Sequence, residues 1–181
     1  MNAPPPQAAP RKGLPTWVIV ILCLAGAAIV VLPVLAVVGV YGVRKYIANA
    51  KTAEARYALG QIAKDAAVAY EKNHALCPSA SHPVPASMTS LKGTNYQSTA
   101  AEWAVDKTRN AGFACLEFSM DMPQYYQYSY AVSLTNPPTF TATAHGDLNG
   151  DGQTSEFVIR GEVKNGVLTV APRIDETDPE E

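Results

Sequence analysis

Between Lys12 and Arg44 the chain carries no charged side chain, and from Trp17 to Val43 it consists almost wholly of Val, Ile, Leu, Ala and Gly. As a helix rising ~1.5 Å per residue, that run reaches about 40 Å, against a hydrocarbon core of about 30 Å. It is long enough to span a bilayer with tilt. A cleaved secretory signal has an apolar part of about 7–15 residues followed by a small-residue cleavage motif. Here the run is longer, and Arg44-Lys45-Tyr46 follows it. Residues 17–43 are therefore expected to form a retained transmembrane helix. Residues 1–16, with Pro4, Pro5, Pro6 and Pro10 and no acid, read as a disordered tail.

This segment also explains an unremarkable composition. The whole chain of 181 residues is 48% hydrophobic with net charge −2. Met1 to Lys45 holds four bases and no acid, whereas the remainder holds all 16 acids and ten of the 14 bases. The part beyond the anchor is thus acidic at −6, without the Lys/Arg footprint that a phosphate backbone requires, which argues against nucleic acid as a partner.

Two arguments about orientation conflict. Arg44, Lys45, Lys51 and Arg56 outnumber Arg11 and Lys12, so the positive-inside rule alone would put the large domain in the cytoplasm. Cys77 and Cys115, however, flank a stretch dense in Pro, Ser and Gly that a disulfide would staple, and such a bridge persists in an oxidising compartment. Bridged, a loop of about 39 residues gains on the order of 4 kcal/mol in the chain-entropy model; two free thiols are the alternative. The expectation is N-terminus in, domain out. Cys23, inside the apolar run, reads as a small core or lipid-facing residue.

From Tyr46 to about Asn73 there is no proline and a single glycine, and helix-formers dominate. Ala55, Leu59, Ile62, Ala66 and Ala69 fall on one stripe at spacings of three and four. The helix is expected to continue from the membrane and present this small-residue stripe to a sheet. Downstream, a short helix is expected around Thr99 to Val105, and strands over Cys115–Met120, Tyr125–Leu134, Thr139–Ala144, Phe157–Val163 and Val167–Val170. Asn165-Gly166 is a two-residue hairpin signal between the last two. Tyr126, Tyr128 and Tyr130 share one strand face and read as sheet packing. Residues 175–181, with five acids in seven positions, read as a solvated, disordered end. The fold class is α+β: one long N-terminal helix, membrane-spanning in its first half and amphipathic in its second, packed on a four- to five-stranded antiparallel sheet.

The run Lys45-Tyr46-Ile47-Ala48-Asn49-Ala50-Lys51-Thr52-Ala53-Glu54-Ala55, followed by Leu59, Ile62, Ala66, Ala67 and Ala69-Tyr70, resembles the membrane exit of type IV pilins and type II secretion pseudopilins. The resemblance covers roughly Leu35 to Tyr70. It implies a pilin-like roll over residues 44–174, a bacterial inner-membrane location with the domain in the periplasm, and partners that are other pilin-like subunits meeting through the N-terminal helix. The prepilin peptidase site is not matched: Gly13 follows Arg11-Lys12, but Leu14-Pro15-Thr16-Trp17-Val18 supplies neither the aromatic start nor the glutamate. The expectation is an uncleaved pilin-like structural or accessory protein, the alternative being a stand-alone membrane-anchored periplasmic module that binds or senses a ligand.

One motif has ligand-like spacing. Asp147-Leu148-Asn149-Gly150-Asp151-Gly152-Gln153 matches positions 1, 3, 5 and 6 of a calcium loop, where short oxygen side chains alternate along a turning backbone. Position 12, which needs a bidentate acid, is Val158, with Glu156 two residues early. The candidate calcium ligands are Asp147, Asn149, Asp151, Gln153 and Glu156; a Gly-rich turn with Asp and Asn in turn roles is the competing reading. No esterase elbow, zinc-helix or phosphate-loop motif occurs, and no local motif pairs His74, His82 or His145 with a nucleophile, so no catalytic residue is assigned.

Overall fold

The computed structural model describes residues 15–179 and 181; the expected tail at 1–16 lies almost entirely outside them. The chain divides into two units, Met1–Arg44 and Lys45–Glu181. The first helix, α1, is Thr16–Asn73, with Pro33 inside it. Within the first unit, Thr16–Gly39 has a mean hydropathy of 3.1 and none of it is buried. Among the described residues this is the one helical stretch long and apolar enough to cross a membrane. Large aliphatics such as Leu24, Ile29 and Leu32 stand exposed all around it, as a lipid-facing helix requires. Cys23 is exposed there too.

In the second unit the helix changes character. Ala55, Leu59, Ile62, Ala66 and Ala69 are all buried, as their spacing predicts, with Thr52, Ala58 and Ala63 widening the stripe. The helix stops at His74, which adopts a left-handed conformation (φ 53°) and donates its N–H to the Tyr70 carbonyl at 2.8 Å. That arrangement satisfies one of the carbonyls left open at a helix end.

Five strands follow: β1 (Gln127–Ser133), β2 (Thr139–Gly146), β3 (Ser155–Lys164), β4 (Val167–Val170) and β5 (Asp175–Thr177). All pairings are antiparallel, in the order β1-β2-β3-β4. The ten-residue β3 divides its outer edge between β4, opposite Gly161–Lys164, and β5, opposite Glu156–Val158. The Asn165-Gly166 hairpin forms as expected, with φ of 53° and 77°, the two positive values a tight primed turn needs.

Alternate residues of β1, β2 and β3 point to the core: Tyr128 and Tyr130, with Tyr126 just ahead of them, then Phe140, Ala142 and Ala144, then Phe157 and Ile159. They form one cluster with the α1 stripe. The division of bulk is complementary. Small residues on the helix let its backbone approach closely, and aromatic rings on the strands fill the intervening space. Phe140 lies opposite Gly161 so closely that a Cβ at Gly161 would run into its ring.

Two expectations need correction. Cys115–Met120 is not a strand: Gly112–Leu116 forms a short helix, α3, that ends at Glu117 in a left-handed conformation. Cys115 is bonded to Cys77, and Phe113 and Phe118 both meet Trp103 edge-on, at 4.9 and 5.3 Å between ring centroids. These long-range ties bury Leu116 and Phe118 without sheet pairing. The acidic end is not wholly disordered either. Its residues Asp175–Thr177 form β5, because the tail acids meet specific cations: Glu176 accepts a bidentate pair of bonds from Arg56 at 2.7 and 2.8 Å, and Asp175 pairs with Arg160. The short helix expected near residue 100 is present as α2 (Ala100–Trp103), started by a Thr99/Glu102 capping box.

Candidate functional site

A concave feature of the second unit lies beside α1. On one wall are Glu54, Tyr57, Ala58, Gln61 and Asp65, a row three to four residues apart that borders the buried stripe. The opposite wall is the irregular stretch 117–123 that follows α3. Because this stretch is not a strand, its side chains are free to face the helix across a gap of about 460 Å³, a volume typical of ligand clefts.

Glu54 anchors one end. Its Oε1 accepts the Tyr125 N–H at 2.9 Å and the Tyr128 hydroxyl at 3.0 Å, and its Oε2 lies 3.1 Å from the same Tyr125 nitrogen. Burial pushes this carboxyl above its ordinary value, and the hydrogen bonds, which favour the ionised form, only partly offset that. The Tyr128 phenol is held well above its usual range, first by burial and then by the Glu54 charge. Lys51 places its ammonium 4.6 Å from the centre of the Tyr125 ring. Further along, Asp65 accepts a bond from Gln61 Nε2 at 2.8 Å; burial raises its pKa, partly offset by that bond and by the Lys64 charge, with a smaller upward push from Glu117.

Four carboxylates thus line the groove, Glu54 and Asp65 on the helix, Glu117 and Asp121 on the facing wall, and no Lys, Arg or His joins them. Between the acids are Phe118, Met120 and the largely exposed Met122 and Tyr57. A second hollow of about 300 Å³ shares Asp65 and Glu117 and continues along α1 to Lys72 and Asn73. The helical side of the groove was legible in the sequence as an i, i+4, i+7, i+11 row. The opposite wall was not, since it depends on α3 and the disulfide.

The loop with calcium-like spacing is arranged differently. Asp147 is buried and turned onto its own backbone: Oδ1 accepts the Gly150 N–H at 2.7 Å and Oδ2 the Gly152 N–H at 3.1 Å. Asn149 Oδ1 accepts from Asp151 N at 2.8 Å, and Asp151 Oδ1 from Gln153 N at 2.7 Å. These are Asx turns, the chemistry expected of Asp and Asn in a Gly-rich bend. Glu156 stays in β3, its Oε1 3.1 Å from Nε2 of its cross-strand partner His145. Val158 is buried in β3. A cation also stands near the loop, since a Cβ built on Gly152 would lie 3.9 Å from Lys92 Nζ. The structure brings Asp147, Asn149 and Asp151 into one turn, leaves the Gln153 side chain exposed and directs Glu156 elsewhere; among the described residues no group of three or more His, Cys, Asp or Glu is placed to hold a metal ion.

The expected Cys77–Cys115 disulfide is formed, its Cα atoms 5.8 Å apart. His74 caps α1 and His82 is exposed on its loop, so the three histidines do not converge. Comparison of the chain with protein-family models, with curated proteins and with solved structures finds no match.

Proposed function

We propose that this protein is a single-pass membrane protein of pilin-like build, a structural or accessory component of a type IV pilus or type II secretion-like assembly. In this reading the N-terminus is cytoplasmic, the anchor lies in a bacterial inner membrane, and the α+β domain stands in the periplasm. The observation that carries it is α1 itself: one helix, Thr16–Asn73, uniformly apolar and exposed in its first part, then buried along a small-residue stripe against an antiparallel sheet. The Cys77–Cys115 bridge supports an oxidising compartment for the domain. Partner subunits would meet the apolar part of α1 in the bilayer, where association rests on close packing rather than on water exclusion.

Co-purification and cross-linking through α1 in native membranes test this reading. Cross-links at positions 20–35 to pilus or secretion subunits are expected. A protein that cross-links to none of them, and whose C-terminal fusion reports the cytoplasm, would overturn it.

The groove favours a second reading, a stand-alone anchored module that binds a periplasmic ligand. Calcium at Asp147, Asn149, Asp151, Gln153 and Glu156 belongs to that reading. Binding there requires Asp147 to release two backbone N–H groups and Glu156 to leave His145. Terbium luminescence of the full-length protein in detergent tests it: a signal displaced by about 1 mM calcium, the range of weak extracellular sites, is expected, and no terbium signal, or one that calcium leaves unchanged, would sink it.

A further inference from the structure

We propose that the groove between α1 and the 117–123 wall docks a basic amphipathic segment of a partner protein. The charge pattern selects the sign of the occupant. Two carboxylates on each wall, Glu54 and Asp65 facing Glu117 and Asp121, line the groove without a cationic side chain among them. An anionic lipid surface or a nucleic acid is repelled by such a lining, while Lys or Arg side chains are attracted to it.

The apolar part of the lining selects the shape. Met120 and Met122 stand on the wall opposite Tyr57 and Ala58, and Met122 and Tyr57 are 74% and 77% exposed. Thioethers are polarizable and adapt to varied partners, and recognition surfaces for amphipathic helices use them for that reason. A bare metal ion would gain nothing from these groups, and the acids are not gathered tightly enough to chelate one. The second hollow extends the trough along α1 as far as Asn73. From Glu54 to Asn73 a helix covers about 28 Å, the reach of a chain segment rather than of a small cation. Lys72 at the far end gives the trough a polarity, so the most basic part of the occupant lies over Glu54 and Asp121. The inference concerns the unit Lys45–Glu181 alone and does not depend on the pilin-like reading.

The test uses the full-length protein in nanodiscs of uncharged phosphatidylcholine, which keeps basic peptides off the lipid. The probe is a fluorescent peptide of about 16 residues with Leu and Lys at helical spacing, read by anisotropy. A Leu/Glu peptide and spermine serve as comparators. Glu117→Gln/Asp121→Asn removes two exposed groove charges, and Asp178→Asn/Glu162→Gln removes two elsewhere. The basic peptide is expected to bind, the groove variant to weaken it about tenfold and the control variant by less than about twofold. The acidic peptide should not bind, and spermine should compete only weakly. Equal losses in both variants would reduce the effect to general electrostatics and overturn the proposal. So would the absence of peptide binding, or spermine binding as tightly as the peptide, which would make this a site for a small polycation.

Discussion

The two parts of α1 are the same secondary structure and both are rich in apolar residues, yet they solve opposite problems. Over Thr16–Gly39 the apolar side chains point in every direction and none is buried within the chain. Over Thr52–Ala69 most of them lie on a stripe that disappears into an aromatic-rich core, with Lys51, Arg56 and Lys64, and the exposed Tyr57 and Val68, outside it. The periodicity of hydrophobicity, more than its amount, reports which solvent each part was built for. One part needs a bilayer to be satisfied, and the other carries its apolar partner in the same polypeptide.

That comparison is open to being broken from both sides. Replacing the bridge with Cys77→Ser/Cys115→Ser should cost the folded unit about 4 kcal/mol, as expected for a loop of this length, read by denaturant unfolding followed through Trp103. Membrane integration should not change. The reciprocal change, Val30→Asp, should disfavour insertion by roughly 3 kcal/mol while leaving the domain's unfolding midpoint where it was; membrane fractionation beside the same denaturation curve checks both. Gly161→Ala drives a methyl into the Phe140 ring and should destabilise the sheet by roughly 2 kcal/mol, again without effect on insertion.

The smallest effects are electrostatic. Glu176→Gln loosens β5 by removing the ion pair to Arg56, an exposed contact worth about 1 kcal/mol or less. Two carboxyls should tilt the stability profile in opposite directions around the ordinary glutamate value of 4.5. The bond from Arg56 lowers the Glu176 pKa in the fold, so its contribution is present above the unfolded value and is lost as pH falls through the folded one. Burial raises that of Glu54, so its contribution is full below the unfolded value and is lost as pH rises through the folded one. Unfolding midpoints against pH for Glu176→Gln and Glu54→Gln should therefore change slope with opposite sign.

What could be read from the sequence follows the range of the forces involved. The α1 stripe, the Asn165-Gly166 hairpin and the Tyr126–Tyr130 face are set by periodicity or by the φ preferences of neighbouring residues, and the structure has them. Residues 115–120 alternate like a strand but are decided by Cys77, 38 residues from Cys115, and by the packing of Phe113 and Phe118 on Trp103, which hold the stretch as a helix end and an irregular wall. The last acids looked solvated because their cations, Arg56 and Arg160, are distant in sequence. The groove inherits both limits, since one wall is a visible helical row and the other exists only through α3. The calcium-like spacing teaches a related point: Asp and Asn at alternate positions serve their own backbone in this loop.

Cysteine scanning of α1 in intact membranes tests the central claim most directly. With Cys23→Ser as background and the Cys77–Cys115 bridge kept, single cysteines are placed at successive positions and labelled with a water-soluble maleimide. Protection is expected at every position through 20–35, whatever the helix face. Between 52 and 69 labelling should follow the helical period, with Tyr57, Lys64 and Val68 reactive and Leu59, Ile62 and Ala66 protected. Periodic labelling through 20–35 as well would contradict the account, because it would mean that both parts of the helix are built against protein and water.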